Sequence, residues 1–352
     1  MVGMFVPGLE LCRRFYDEVV KEYLVGVPHT AARIGPGSEV LGFDTERSAD
    51  HDWGLQLQVF LRPGDKRGPE ISGTLSTGLP KTFLGYPTNF SGADDNGVRV
   101  MEPADGPVAH RVDITTLDSW FADRLDFDPR AAMQTKHWLG TPTQVLAEVT
   151  GGEVFHDELG ELSDARERLA WYPDDIWRYI LACQWERLAR EEAFVGRCGE
   201  VGDELGSAVV AARQVRGLMR LCLLMYRTYP PYSKWLGSAF ARLPLADKVK
   251  PMLTAALAAT AWQDRETHLA TAYTTIAQAH NDLGLTEPVD PGTSPYHDRP
   301  FQVLHAERFT QALLETGMPL TGAIDQFADN ADLPSDRRLT ARLVEAAWGT
   351  AN

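Results

Sequence analysis

Long apolar runs are missing from this chain of 352 residues. No stretch of about 18 apolar residues occurs, which excludes a membrane-spanning helix. The segment from Met1 to Glu10 holds a proline and an acid in place of a basic stretch and an apolar one, so no signal peptide is expected. Cysteine is scarce. Cys12, Cys183, Cys198 and Cys222 lie far apart, with no pair at metal-ligand or redox spacing, and a reduced cytoplasmic protein is the expectation. Basic residues are few beside the acids. The 34 Lys and Arg against 49 Asp and Glu give a formal net charge of −15, which argues against a broad nucleic-acid-binding face. A local basic pocket for a nucleotide is still compatible with that balance, and an acidic surface favours cationic small substrates. No Walker loop, dinucleotide-binding glycine pattern or His-Glu-x-x-His zinc motif is present.

What is present has the composition of an ordinary globular protein, 44% hydrophobic and 24% charged. The length favours two domains. Strand-like alternation dominates the first part and helical periodicity the rest, so the chain reads as an α+β protein. A mixed-sheet domain over 1–160 precedes an all-α bundle over 161–352. Near the start, Leu9 to Tyr23 carries an apolar helical stripe. A strand ending near Ile34 leads into the turn Gly35-Pro36-Gly37-Ser38.

Read as a strand, Asp50 to Leu61 turns His51, Trp53, Leu55, Leu57, Val59 and Leu61 to one face and Asp50, Asp52, Gln56 and Gln58 to the other. Two carboxylates two positions apart on a strand lie roughly 6–7 Å apart and point the same way. Ionised together, they repel unless a cation is shared between them. Hard oxygen ligands of this kind suit Mg²⁺, which is commonly held by one or two protein carboxylates plus substrate phosphates. The small Gly37-Ser38 turn would let backbone N–H groups and a hydroxyl approach a triphosphate. A second strand, Ala109 to Leu117, carries Arg111, Asp113 and Thr115 on one face, and beside the first it would add Asp113 as a third acid or a general base. An ion pair with Arg111 is the alternative for that aspartate. Between the strands, 62–107 is rich in Gly, Pro, Ser and Thr and includes an aromatic stretch, Lys81 to Phe90, expected to form a pocket wall or a surface flap.

The Gly37-Ser38, spacer, Asp50-x-Asp52 pattern resembles the nucleotidyltransferase superfamily, the fold shared by DNA polymerase beta and the antibiotic nucleotidyltransferases. The resemblance implies triphosphate contact at Gly37 and Ser38, and metal ligation by Asp50, Asp52 and a third acid, for which Asp113 is the candidate. Three further stretches are similar to a bacterial nucleotidyltransferase-like family of unassigned function. They are Gly42 to Gly54, Tyr229 to Trp235, and Asp298 to Val303 with Ile324 to Phe327. The likeness implies a Mg²⁺-dependent transfer of a nucleoside monophosphate, from ATP by default, to a small-molecule acceptor.

Helical patterns follow from about Asp164, with helices expected after Tyr172-Pro173-Asp174-Asp175 and over Glu204–Tyr226, Asp247–Ala259, Asp264–Leu283 and finally Phe301–Leu314. In related antibiotic-modifying enzymes a helical-domain glutamate activates the acceptor. Glu186, Glu191 and Glu192 lie on the corresponding helix, and Glu192 is placed first for its apolar surroundings, a solvated helix face being the alternative. Lys234, after a Pro-Pro turn and between Tyr232 and Trp235, and Arg197 would supply cations to the triphosphate. The bland alternatives are a lysine lying on tryptophan and a cation at a helix C-terminus. A different class, a nucleotide-binding scaffold that has lost chemistry, is also compatible with these residues.

Overall fold

Leu11, Cys12, Phe15 and Tyr16 recur at helical spacing and form the buried stripe of α1 (Gly8–Glu18). The helix stops a turn short of the expected Tyr23, because the chain tightens into a 3₁₀ turn over Val20–Leu24. This computed structural model describes residues 5–95, 97–314, 319–328 and 336–348. The order continues with β1 (His29–Arg33), β2 (Gln56–Leu61), α2 (Gly68–Gly78), the short hairpin β3 (Thr82–Phe83) and β4 (Tyr86–Pro87), β5 (Arg111–Thr115) and α3 (Leu117–Leu125). Then come α4 (Thr135–Gly140), α5 (Thr143–Thr150), β6 (Glu153–Asp157) and α6 (Glu161–Leu169). The chain divides into two compact units, Met1–Met133 with Val145–Ala170, and Gln134–Gln144 with Trp171–Asn352.

In the first unit the four main strands form a mixed sheet in the order β5-β2-β1-β6. β1 is antiparallel to both its neighbours, and β2 runs parallel to β5. A parallel pair cannot be joined by a tight turn, and the crossover it needs is supplied by 62–107, which holds α2 and the β3–β4 hairpin. That segment is therefore structured. Its aromatics Phe83 and Phe90 are buried, and Phe83 packs on Phe15 with ring centroids 5.4 Å apart. The core takes Ala31, Leu57, Val59, Leu61 and Val112 from one sheet face, against α1 and α2. On the opposite face Phe60 meets Trp120 of α3 edge-on.

The expected strand from Asp50 is shorter than its apolar pattern suggested. Glu46–Asp50 is a 3₁₀ turn and β2 begins only at Gln56. The alternation therefore does not extend back to the acids: His51 is exposed, while Trp53 is buried as expected. The physical reason lies at Asp52, whose φ of 43° is left-handed and breaks an extended run.

In the second unit, α7 (Asp174–Ala189) buries residues on nearly every side, including Trp177, Ile180, Cys183 and Trp185, as a central bundle helix does. It packs against α9 (Glu204–Met225), on which α8 (Phe194–Glu200), α10 (Ser233–Phe240), α11 (Ala246–Ala258) and α12 (Trp262–Asn281) also gather. Asp203 caps α9 by accepting from the Gly206 N–H at 2.7 Å. The expected helix Phe301–Leu314 is instead split. Ser294–Pro295 and Gln302–Val303 pair as β7 and β8, and α13 (Glu307–Leu313) starts late. It is not the last helix, since α14 (Ile324–Phe327) and α15 (Arg337–Trp348) follow.

Candidate functional site

The turn after β1 is built around a buried ion pair absent from the sequence reading. Arg33 and Glu39 are both almost fully buried, and Arg33 donates to Glu39 Oε1 from Nε at 2.9 Å and from Nη2 at 2.5 Å. The same guanidinium donates to the carbonyls of Ile34 and Pro36, at 2.8 and 2.6 Å, and so draws them inward. A Cβ at Gly37 would stand 2.5 Å from Arg33 Nη2 and 2.7 Å from Glu39 Oε1, which is why the turn requires glycine. The Ser38 hydroxyl makes no hydrogen bond among the described residues, and its carbonyl accepts from Phe43 N.

From that turn the chain is pinned along its length. Asp44 accepts from the Gly8 N–H at 2.7 Å and from Trp53 Nε1 at 3.1 Å. The Asp52 N–H donates to Arg99 O, and the Asp52 carbonyl accepts from Gln56 Nε2 at 2.9 Å. The two acids are thereby presented at the N-terminal approach to β2, both solvent-exposed. Asp50 Oδ1 lies 2.6 Å from His51 Nδ1, and Asp52 Oδ1 accepts from Arg111 Nη1 at 3.0 Å.

The neighbour of β2 is β5. Their parallel register sets Gln56 beside Arg111 and Gln58 beside Asp113. Arg111 and Asp113 are two positions apart on one strand and share a face. Arg111 thus stands between two aspartates from distant parts of the chain: it bonds Asp52 directly, and its charge acts on Asp113. Partial desolvation raises the Asp113 carboxyl above its ordinary range, opposed by Arg111 and Arg124.

The remaining expected residues lie on the helical unit. Glu192 is not an available base. It is buried, and its two oxygens accept the backbone N–H groups of Leu304 and Ala306 at 2.9 and 3.2 Å, so it clamps the segment before α13. Burial pushes this carboxyl up to about 7 despite those hydrogen bonds. The Lys234 ammonium lies over the Trp235 ring at 4.8 Å, and Arg197 over Phe194 at 5.3 Å, both side chains at the surface.

A second donor group in the first unit joins His29, His156 and Glu158, whose ligand atoms lie within 4.8 Å of one another. His29 is already engaged at both nitrogens, with Tyr16 Oη at 2.9 Å and Val27 O at 2.6 Å, and burial lowers its pKa. A metal there would have to displace the tyrosine. The hint in the sequence was His156 and Glu158 at alternate positions, but only the β1–β6 pairing supplies His29.

Comparison with known proteins adds little. A family model described as a domain of unknown function (DUF4037) matches residues 138–236. No curated protein matches. Among solved structures, the chain is similar to a nucleotidyltransferase-like protein from Exiguobacterium sibiricum 255-15, at 12% identity over 81% of this chain and 83% of that one, with a TM-score of 0.32. No helix among the described residues is long and apolar enough to cross a membrane.

Proposed function

We propose that the first unit carries a Mg²⁺-dependent nucleotidyl-transfer site, moving a nucleoside monophosphate, with ATP as the default donor, to a hydroxyl or amine of a small molecule. The observation that carries the reading is the parallel β2–β5 pairing, which puts Asp113 on the strand next to the one that Asp50 and Asp52 precede. Carboxylate oxygens are the hard donors Mg²⁺ takes, but Asp50, Asp52 and Asp113 form no ready three-ligand cluster among the described residues, so the ion would have to draw them together. When bound, the ion would supply charge neutralisation for the phosphates and the departing pyrophosphate.

Within this reading Arg111 is the countercharge that keeps Asp52 in place while no cation is bound. The turn carbonyls drawn in by Arg33 leave the outer side of Gly37 and Ser38 to N–H groups and one hydroxyl, which would contact phosphate oxygens. Asp113, with its raised pKa, would accept the proton of the acceptor as its oxygen or nitrogen attacks the α-phosphorus in line. The base falls to Asp113 because Glu192 is spent on backbone hydrogen bonds.

The test is a thermal-shift screen of the four nucleoside triphosphates with and without Mg²⁺, on wild type and Asp52→Asn. Asparagine tolerates the left-handed backbone at this position, so the change removes charge without adding strain. A Mg²⁺-dependent rise in wild type alone supports the reading and chooses the donor. No rise with any triphosphate defeats it. A rise without turnover of any acceptor would favour the scaffold that keeps the nucleotide and has lost the chemistry.

A further inference from the structure

Among the described residues, His29, His156 and Glu158 form the one set of three His, Cys, Asp or Glu side chains whose donor atoms all lie within 4.8 Å of one another. All three belong to the first unit. β6 is an edge strand of its sheet, and its register with β1 sets His156 opposite Ala31. Just beyond β6, the Glu158 N–H donates to the His29 carbonyl at 3.3 Å. Alternate residues of a strand and their cross-strand partners share a face, so the three side chains emerge together. Both histidine rings lie beside the Tyr16 ring of α1 and 4.6 Å from each other.

The nitrogens of His29 are prepared for a metal. A carbonyl oxygen only accepts, so the 2.6 Å contact with Val27 O places a proton on Nδ1. In the neutral ring, which burial favours, Nε2 then holds the lone pair and accepts from the Tyr16 hydroxyl at 2.9 Å. A backbone carbonyl on one imidazole nitrogen is the common device that orients the other toward a metal.

The other two donors are close to the spacing that one ion requires. Two ligand atoms on a tetrahedral zinc, with bonds of about 2.0–2.1 Å, lie roughly 3.3–3.4 Å apart. His156 Nε2 stands 3.8 Å from Glu158 Oε2. His156 is half-buried and Glu158 exposed, so both can rotate to close the set around a metal, and solvent can reach it. Two imidazoles with one carboxylate suit zinc and disfavour Mg²⁺, which takes oxygen donors. Three protein ligands leave a fourth position for water.

We infer that His29, His156 and Glu158 bind a zinc ion that fastens edge strand β6 to β1. The unit is built from two stretches of chain, and this ion ties the second, Val145–Ala170, to the first. His29 pairs with Leu61, at the end of β2 remote from Asp50 and Asp52, so the inference does not rest on nucleotidyl transfer.

The test is zinc titration calorimetry of the full chain, free of any affinity tag and stripped of metal beforehand, with Mg²⁺ as the comparison ion. Wild type should bind zinc, and an equal concentration of Mg²⁺ should not displace it. His156→Gln and Glu158→Gln should each weaken binding by about a hundredfold or more, since even the outer partners of a metal ligand are worth about 10–100-fold. Both should melt like wild type without metal, so lost binding is not lost fold, and zinc should raise the melting temperature of wild type alone. Tyr16→Phe removes the hydroxyl that competes for His29 Nε2 and should tighten binding by about threefold to tenfold, the worth of one hydrogen bond. Glu153→Gln, on the same strand outside the set, and Asp52→Asn should both bind as wild type does. Failure of wild type to bind zinc overturns the inference, as do equal affinities across His156→Gln, Glu158→Gln and Glu153→Gln. Displacement by Mg²⁺, or weaker binding by Tyr16→Phe, overturns it as well.

Discussion

Each unit gathers like charges, but the two do so by different means. In the sheet unit, Asp52 and Asp113 come from segments about sixty residues apart, joined only by the β2–β5 pairing, and the protein's own Arg111 stands between them. In the helical unit, Arg187, Arg213, Arg216 and Arg220 line one cavity. Three of the four arginines come from a single helix, α9, at successive turns, and carboxylates already face two of them, Glu191 at Arg213 and Asp325 at Arg220. A cluster that carries its own countercharge holds its shape without a ligand and must give up that partner to bind one. The acidic residues, with Arg111 as their own countercharge, therefore suit an exchangeable cation.

The largest effects are expected where the frame of the acidic cluster is cut. Trp53 is buried, holds Asp44 through Nε1 and stacks on Phe5. Trp53→Ala should cost about 3–5 kcal/mol in urea unfolding, the range for losing a core aromatic. Glu39→Ala should cost about as much, because it strands Arg33 as a buried charge without its partner. A loss under about 1 kcal/mol in both would show that the turn is held by something else.

Next is the pH dependence of Glu192, a carboxylate used for structure in the helical unit. Its folded pKa is raised to about 7 from an ordinary value near 4.5. The protonated form is thus favoured in the fold, so the stability this group contributes is fully present at low pH and is lost as pH rises towards 7. Between pH 5 and pH 8, wild type should lose about 3 kcal/mol relative to Glu192→Gln. Parallel pH profiles for the two proteins would mean the carboxyl titrates normally.

Smaller effects separate the two kinds of charge cluster. Arg111→Gln removes a half-exposed ion pair and should change stability by less than about 1 kcal/mol, while freeing Asp52 for a cation. Tighter Mg²⁺ binding by calorimetry is the expected outcome, and unchanged binding would detach Asp52 from the cation site. Arg187→Gln should raise stability by about 0.5 kcal/mol at low salt, and the gain should fade as salt screens the repulsion. A loss of stability there would mean that the arginine face is already neutralised.

Local chemistry explains which features were legible in advance. The stripe of α1, the extents of α9 and α12 and the burial of Trp53 follow from periodicity, which one segment states on its own. The arginine face had the same kind of signal, at i, i+3 and i+7, but Arg187 and the shape of the cavity depend on α7 lying against α9. The strand from Asp50 was over-extended because apolar alternation says nothing about a left-handed residue at Asp52. Glu192 was expected to be partly buried, and it is. Its role changed because the segment that binds it lies more than a hundred residues away.

The amino-acid sequence by itself determined the mixed-sheet and helical halves, the glycine-containing turn and the acids that follow it. Those are properties of short segments, set by side-chain period, backbone freedom and charge. Only the tertiary structure decided that Asp113 neighbours β2, that Arg33 and Glu39 hold the turn, and that four arginines surround one cavity. Each of these joins residues through strand pairing or helix packing, and which partner a surface meets is settled by the burial of the whole unit.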